Sequence, residues 1–352
     1  MKIDSGISSK VLTISQDYLP PRGGIAQVVY SYDNFVFENF KSLRIKKRKN
    51  IWISRLHIII TILKLTTLLI FDRNIKIVHI HTGSYIRFYF NTYYLRIAKL
   101  FNKKVIMHIH GGAFAEYYNT NPKWIKAMLQ KCDVIVALTS YWEKFFKEKV
   151  GCNNVVTVNN IIETPQYTNI PKDADCKDFL FLGKVCKEKG LYDLIDVLNE
   201  HKTEFEGKIK LHIGGGGEIE KLKKMIEDNS LQNIVKYEGW VSGDKKISLL
   251  NNCDIYILPS YIEGLPISIL EAMSYGHYII STTVGGIPEI ITNKDEGLLI
   301  TPGDKEAIYS ALRYCVEDKN IKETKNRRIA RTLKHQPEEI SKELKAIYTK
   351  LL

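Results

Sequence analysis

The chain has 352 residues, 45% of them hydrophobic and 26% charged. That length suits about two domains, and that composition excludes a disordered chain, a collagen-like fibre and a disulfide mini-scaffold. The net charge is +12, carried unevenly: up to Pro165 there are 24 Lys and Arg against 10 Asp and Glu, afterwards 27 against 29. The six cysteines (Cys132, Cys152, Cys176, Cys186, Cys253 and Cys315) form no C-x-x-C pair, so buried reduced thiols are expected rather than structural zinc or a redox site. Lys2 and Lys10 are not followed by the apolar run of a secretory signal.

In chain order, short apolar runs alternate with helical patterns, which predicts parallel sheets with helical crossovers. The first half offers KVLTIS, KIVHIH, KVIMHIH and CDVIVAL; the second offers DFLFLG, KIKLHIG, NIVKYEG, CDIYILPS, HYIIST and GLLI. Helices are predicted over Leu191–His201, Ile219–Asn229 and Lys305–Glu317. Residues 39–71 hold eight basic residues and no acid, six of the eight within Lys41–Lys49. The run IWISRLHIIITILKLTTLLIF that follows is interrupted by Arg55, His57 and Lys64, so it is not expected to span a membrane. Ser54, His57, Thr61 and Lys64 predict one narrow polar stripe on a broad apolar helix that covers a sheet; the basic run and the helix's exposed end are also read as meeting an anionic membrane surface, and both can hold at once. The prolines of Glu163–Lys177 suggest a connection, so the expected division is 1–163, a linker 164–177, 178–330 and a final helix 331–352. Ligands of such sheets bind at the carboxyl ends of the strands, here in a cleft expected between two domains.

The stretch from Val235 to Ile291 carries the chemistry. It places a strand at Cys253–Pro259, a polar turn at Ser260–Leu265 and a helix starting near Pro266, where a proline suits the first turn. Free backbone N–H groups and the positive end of the helix dipole make that turn an anion site. Glu263 and Glu271 bracket it. Eight helical residues separate them by about 12 Å, beyond the roughly 5–9.5 Å of glycosidase carboxylate pairs. Two carboxylates binding different hydroxyls of one ligand fit that spacing better.

This stretch, with Pro259-Ser260, Glu263-Gly264-Leu265-Pro266, Glu271-Ala272-Met273 and Gly285-Gly286-Ile287-Pro288-Glu289, resembles the donor site of glycosyltransferase family 4. The resemblance implies an α/β GT-B fold: two Rossmann-like doubly wound domains facing a cleft, with the C-terminal helix crossing back to the first domain. It implies retaining transfer from a nucleotide-diphosphate sugar without a metal or other cofactor, a UDP-sugar favoured over a GDP-sugar. Glu271 then holds the ribose, and Glu263 with the backbone of Gly264 and Leu265 meets the donor sugar. FLFLGKVCKEKG resembles the family's diphosphate motif, giving Gly183, Lys184 and Lys189, with Lys184 where arginine is usual. Lysine keeps the charge and loses the bidentate fork. LPPRGGIAQVVY resembles the family's glycine loop, giving Gly23 and Gly24, and KVIMHIHGG places His110 beside the donor sugar. Trp240, Gly214 and Pro266 join the donor side, and HIHTGSYIRF resembles an acceptor loop with His81, Ser84 and Arg87. Asn160 is expected to be structural.

Two patterns are decoys. Asp173-Ala174-Asp175 spells the metal-binding Asp-x-Asp but falls in the expected linker, and Gly214–Gly217 lacks the glycine a dinucleotide loop needs at Ile219. The resemblance implies a hexosyl- or N-acetylhexosaminyltransferase of capsule or exopolysaccharide synthesis. Its acceptor is expected to be a saccharide, free or polyprenyl-diphosphate-linked, at the inner face of the plasma membrane. The basic first half favours an anionic surface, and nothing in the sequence reads nucleic acid. Two alternatives share the fold and ligand: a sugar-nucleotide epimerase, and a non-catalytic sugar-nucleotide-binding partner of another transferase.

Overall fold

The computed structural model describes residues 2–46, 51–168, 177–318, 321 and 323–352, with 51–57 by backbone alone. Asp173, Asp175, Cys176 and the end of the basic run lie outside the described residues. The chain divides into two compact units: Met1–Glu163 with Lys334–Leu352, and Thr164–Leu333.

The first unit is built on β1 (Val11–Gln16), β2 (Lys41–Ile45), β3 (Ile77–Thr82), β4 (Lys104–Ile109), β5 (Val134–Ala137) and β6 (Val155–Thr157). These strands are all parallel in the order β2-β1-β3-β4-β5-β6. The second unit uses β7 (Lys177–Leu182), β8 (Ile209–Gly214), β9 (Val235–Gly239), β10 (Ile255–Leu258), β11 (Tyr278–Thr282) and β12 (Gly297–Ile300). Their order is β12-β11-β10-β7-β8-β9, again parallel. The strand order reverses between β1 and β3 in one sheet and between β7 and β10 in the other, the switch points where such sheets bind ligands. Lys177, expected in the linker, already opens β7.

The helices used below are α1 (Gly24–Ser31), α2 (Ile51–Phe71), α3 (Ile86–Leu100), α4 (Leu191–Glu200), α5 (Gly243–Asn252), α6 (Ile267–Ser274), α7 (Lys305–Glu317) and α8 (Pro337–Leu351). Strand β2 was not expected inside the basic run. It is an edge strand, where lysine and arginine side chains reach water on one side while Leu43 turns into the core.

Side chains alternate across each sheet, and in the first unit the alternation sorts two chemistries. Leu12, Ile14, Val78, Ile80, Val105 and Met107 pack with Leu65 and Leu69 of α2 and Phe88 and Leu95 of α3. The intervening positions of β3 and β4 place His79, His81, His108 and His110 on the opposite face. Thr61 of the expected polar stripe is buried, and its side chain bonds Tyr94 of α3, so that stripe does not run along one outer face. Helix α8 belongs to the first unit: Tyr348 is buried against Phe37, and Ile162 N–H donates to His335 C=O at 3.0 Å.

Candidate functional site

In the second unit, β10 ends at Leu258 and the chain turns through Ser260–Pro266 into α6, which starts at Ile267 with Pro266 one residue before it. Hydrogen bonds hold this turn from beneath. Ser281 Oγ donates to Leu258 C=O at 2.7 Å, Thr282 Oγ1 to Ser260 C=O at 2.6 Å, and Gly286 N–H to Gly264 C=O at 2.8 Å. Close backbone approaches clamp its flanks. A Cβ on Gly190 (φ +68°) would lie 1.9 Å from Pro259 O, and one on Gly285 (φ +56°) 2.0 Å from Glu263 O, so only glycine serves at either place.

Glu263 is buried to 9% exposure and aligned twice: Ser260 Oγ donates to its Oε1 at 2.9 Å, and Lys189 Nζ pairs with the same oxygen. Lys189 comes from the short turn after β7 that ends at Gly190. Glu271, on α6, pairs with Lys246 of α5 at 2.5 Å. Around the start of α6, two carboxylates therefore each sit against a lysine. Each pair holds a cation beside a hydrogen-bond acceptor. Gly183 is half-buried and Lys184 exposed, both at the carboxyl end of β7 and hence at the switch point. Gly264, Leu265 and Pro266 are buried within the turn.

Gly214, expected on the donor side, is not accessible. It ends β8 in a buried position, where a Cβ would meet Val241 and Leu182 at 2.6 and 2.7 Å. Gly216 and Gly217 are the accessible members of that loop, and Trp240, 51% exposed, flanks Gly216.

In the first unit, Gly23 (φ +99°) and Gly24 open α1 with nothing within 4 Å of either added Cβ, an accessible glycine turn after β1. His110 is half-buried at the end of β4. Its Nε2 lies 2.9 Å from His81 Nδ1, and it is also bonded by the Asn160 side chain. His81 is only 2% exposed, so an acceptor loop presents Ser84 and the exposed Arg87 rather than His81. A Cβ on Gly111 would fall 2.2 Å from Ser84 Oγ, so the turns after β3 and β4 interlock.

Sequence reasoning missed the rest of the array. His81 and His108 are register partners on β3 and β4. His79 Nε2 lies 3.3 Å from His108 Nδ1, and His79 Nδ1 lies 2.7 Å from Tyr348 Oη. Burial pulls His79 and His110 down to about 3, and His81 and His108 well below the ordinary imidazole value, so all four are neutral near pH 7. His79, His81 and His108 bring one ligand nitrogen each within 4.8 Å of one another. Their rings nevertheless stack, with interplanar angles of 24° for His79–His81 and 9° for His79–His108, instead of converging on a point. The arrangement is a hydrogen-bonded imidazole stack. The repeated His-Ile-His on two strands that pair was the available signal.

Two parallel six-stranded α/β units, each with its candidate residues at the carboxyl ends of the strands, define the GT-B class. Residues 165–335 match the family described as glycosyl transferases group 1. It is 29% identical over 258 residues to an uncharacterized glycosyltransferase of Methanocaldococcus jannaschii, covering 67% of this chain and 66% of that one. It is 31% identical over 230 residues to the amylovoran biosynthesis glycosyltransferase AmsK of Erwinia amylovora, covering 62% and 56%. The chain thus matches less than two thirds of these relatives' length. Anabaena HepE, solved in complex with UDP and glucose, shares the fold with a TM-score of 0.75 at 15% identity, over 97% of this chain and 99% of that one.

Proposed function

We propose that the chain is a retaining, metal-independent glycosyltransferase that moves a hexosyl or N-acetylhexosaminyl group from a UDP-sugar to a saccharide acceptor of cell-surface polysaccharide synthesis. The observation that carries this reading is the turn after β10, with Glu263 held by Ser260 and Lys189 and Glu271 held by Lys246 around the start of α6. The family match, the UDP bound by HepE and the polysaccharide named for AmsK support it.

In this reading Glu271 binds the ribose, Glu263 the donor sugar, and Lys184 and Lys189 the diphosphate. The leaving diphosphate gains charge in the transition state, where fixed cations and backbone N–H groups act most strongly. A donor phosphate takes Lys189 over from Glu263, which frees a carboxylate oxygen for a sugar hydroxyl. The acceptor hydroxyl attacks on the face the diphosphate leaves, giving its proton to a donor phosphate oxygen. His110, neutral and held by His81 and Asn160, is assigned to the donor sugar, and Ser84 and Arg87 to the acceptor. The acceptor is polyprenyl-diphosphate-linked, and the protein works at the inner face of the plasma membrane. Among the described residues no helix is long and apolar enough to cross one.

Calorimetric titration with UDP, GDP and ADP in EDTA tests the reading. UDP is expected to bind, and Glu271→Ala and Lys189→Ala to weaken that binding. Failure of all three nucleotides to bind overturns it.

A further inference from the structure

Helix α2 presents an anomaly that the donor site does not absorb. Its inner side is conventional, with Leu65 and Leu69 in the core. Its outer side is apolar as well: Ile59 is 54% exposed, Leu63 60%, Ile70 50% and Phe71 81%. Positions 59, 63, 70 and 71 recur near the helical period, so these side chains form one ridge about three turns long. A contiguous apolar ridge on a monomer marks a contact surface, because leaving it in water forfeits burial of roughly 25 cal/mol for each Å².

The charge around the ridge selects what covers it. Between Glu38 and Glu116 the chain holds fifteen Lys and Arg against a single acid, Asp72, which pairs with Lys41 at 2.6 Å; Arg44, Lys99 and Lys104 pair with Asp17 and Asp133 outside that stretch. Exposed Lys64 lies on α2 itself, and exposed Arg73 and Lys76 follow its end. A second copy would bring two such basic surfaces together. An anionic lipid surface offers the opposite charge and an apolar layer beneath it.

We propose that the outer ridge of α2 enters the headgroup–acyl boundary of an anionic bilayer, lying in its plane, with the surrounding lysines and arginines on the lipid phosphates. This deepens the membrane part of the proposed function and rests on it. It adds a mode of attachment: electrostatic attraction is screened by salt, whereas burial of the ridge is not.

The test is sedimentation with vesicles of phosphatidylcholine containing about 30 mol% phosphatidylglycerol, against phosphatidylcholine alone, with and without about 0.5 M NaCl. The full chain is expected to bind the anionic vesicles and to stay partly bound in salt. Leu63→Asp with Phe71→Asp should lower binding at least about tenfold, with thermal unfolding and UDP binding unchanged. Phe71→Trp should show a blue-shifted emission on adding those vesicles, an independent readout should the double variant unfold. Complete release by salt with no Trp shift, or no binding at all, overturns the proposal. So does a concentration-dependent dimer that the same pair of substitutions dissociates. Loss of UDP binding with vesicle binding intact would strike the donor site and leave this inference standing.

Discussion

Toward the carboxyl ends of β3 and β4, four imidazoles, three of them buried and His110 half-buried, are neutral and bonded in two pairs. At the carboxyl ends of β7 and β10 the second unit instead holds lysines, two of its carboxylates and the start of a helix. Both sheets follow the same parallel logic, so the difference lies in what the strand ends carry. A stack of neutral imidazoles shapes and positions without attracting ions. Paired charges that are about a quarter exposed or less can be exchanged for a ligand's charges at little cost in solvation. The comparison teaches that two sheets of one logic carry different chemistry: paired charges at the strand ends of the second unit, and uncharged imidazoles at those of the first.

The largest effect should come from Glu263. Glu263→Ala is expected to cut transfer by on the order of 10²–10³-fold, with the melting temperature nearly unchanged, read from donor turnover beside thermal unfolding. If His110→Ala did the same and Glu263→Ala did not, the division of labour between the units would be reversed.

Acidification should separate the units next. A histidine held neutral by burial binds its proton only on unfolding, so its stabilisation is complete above pH 6.5 and lost as pH falls below that. Each such histidine contributes at most about 1.4 kcal/mol per pH unit. His212 behaves oppositely. Burial pulls it down, but hydrogen bonds at 3.2 Å to Asp178 and 2.9 Å to Glu238 outweigh that and raise it. Its stabilisation is complete below pH 6.5 and lost as pH rises through the raised value. Hydrogen-exchange protection of β3 and β4 should therefore fall between pH 7 and 5 while that of β8 and β9 holds; parallel losses would remove the contrast.

Gly190→Ala sharpens the second unit's side of it. The added methyl meets Pro259 O at a positive φ, and a loss of about 2–3 kcal/mol is expected in chemical unfolding, with weakened UDP binding. Tyr348→Phe should cost least, about 1–2 kcal/mol, by leaving His79 Nδ1 buried without its partner. Calorimetric unfolding of the first unit measures it, and an unchanged melting temperature would detach α8 from the imidazole stack.

The alternation of β-branched runs with helical patterns was enough to announce two parallel α/β sheets, because each element's period is local. The turn around Glu263 was legible for a related reason. Its proline, glycines and glutamates sit in one continuous stretch, so spacing along the chain and spacing in the fold are nearly the same thing. Lys246 escaped notice because it meets Glu271 from a helix 25 residues upstream, and no local pattern announces such a pairing. Strand β2 escaped because this edge strand is held by only two apolar side chains, Leu43 and Ile45, set among basic residues.

By itself, then, the sequence determined the fold class, the alternation of strands and helices, and the turn that follows β10. These follow from short-range periodicity and from steric demands on single residues, such as glycine at a positive φ. Only the tertiary structure decided that two His-Ile-His triplets fall on neighbouring strands, offset so that His81 lies opposite His108, and that Tyr348, 269 residues after His79, closes the stack. It also decided that Ile59, Leu63, Ile70 and Phe71 of α2 are left exposed. Which residues meet, and which face of an apolar helix is left uncovered, depend on how the elements pack, and no periodicity along the chain carries that information.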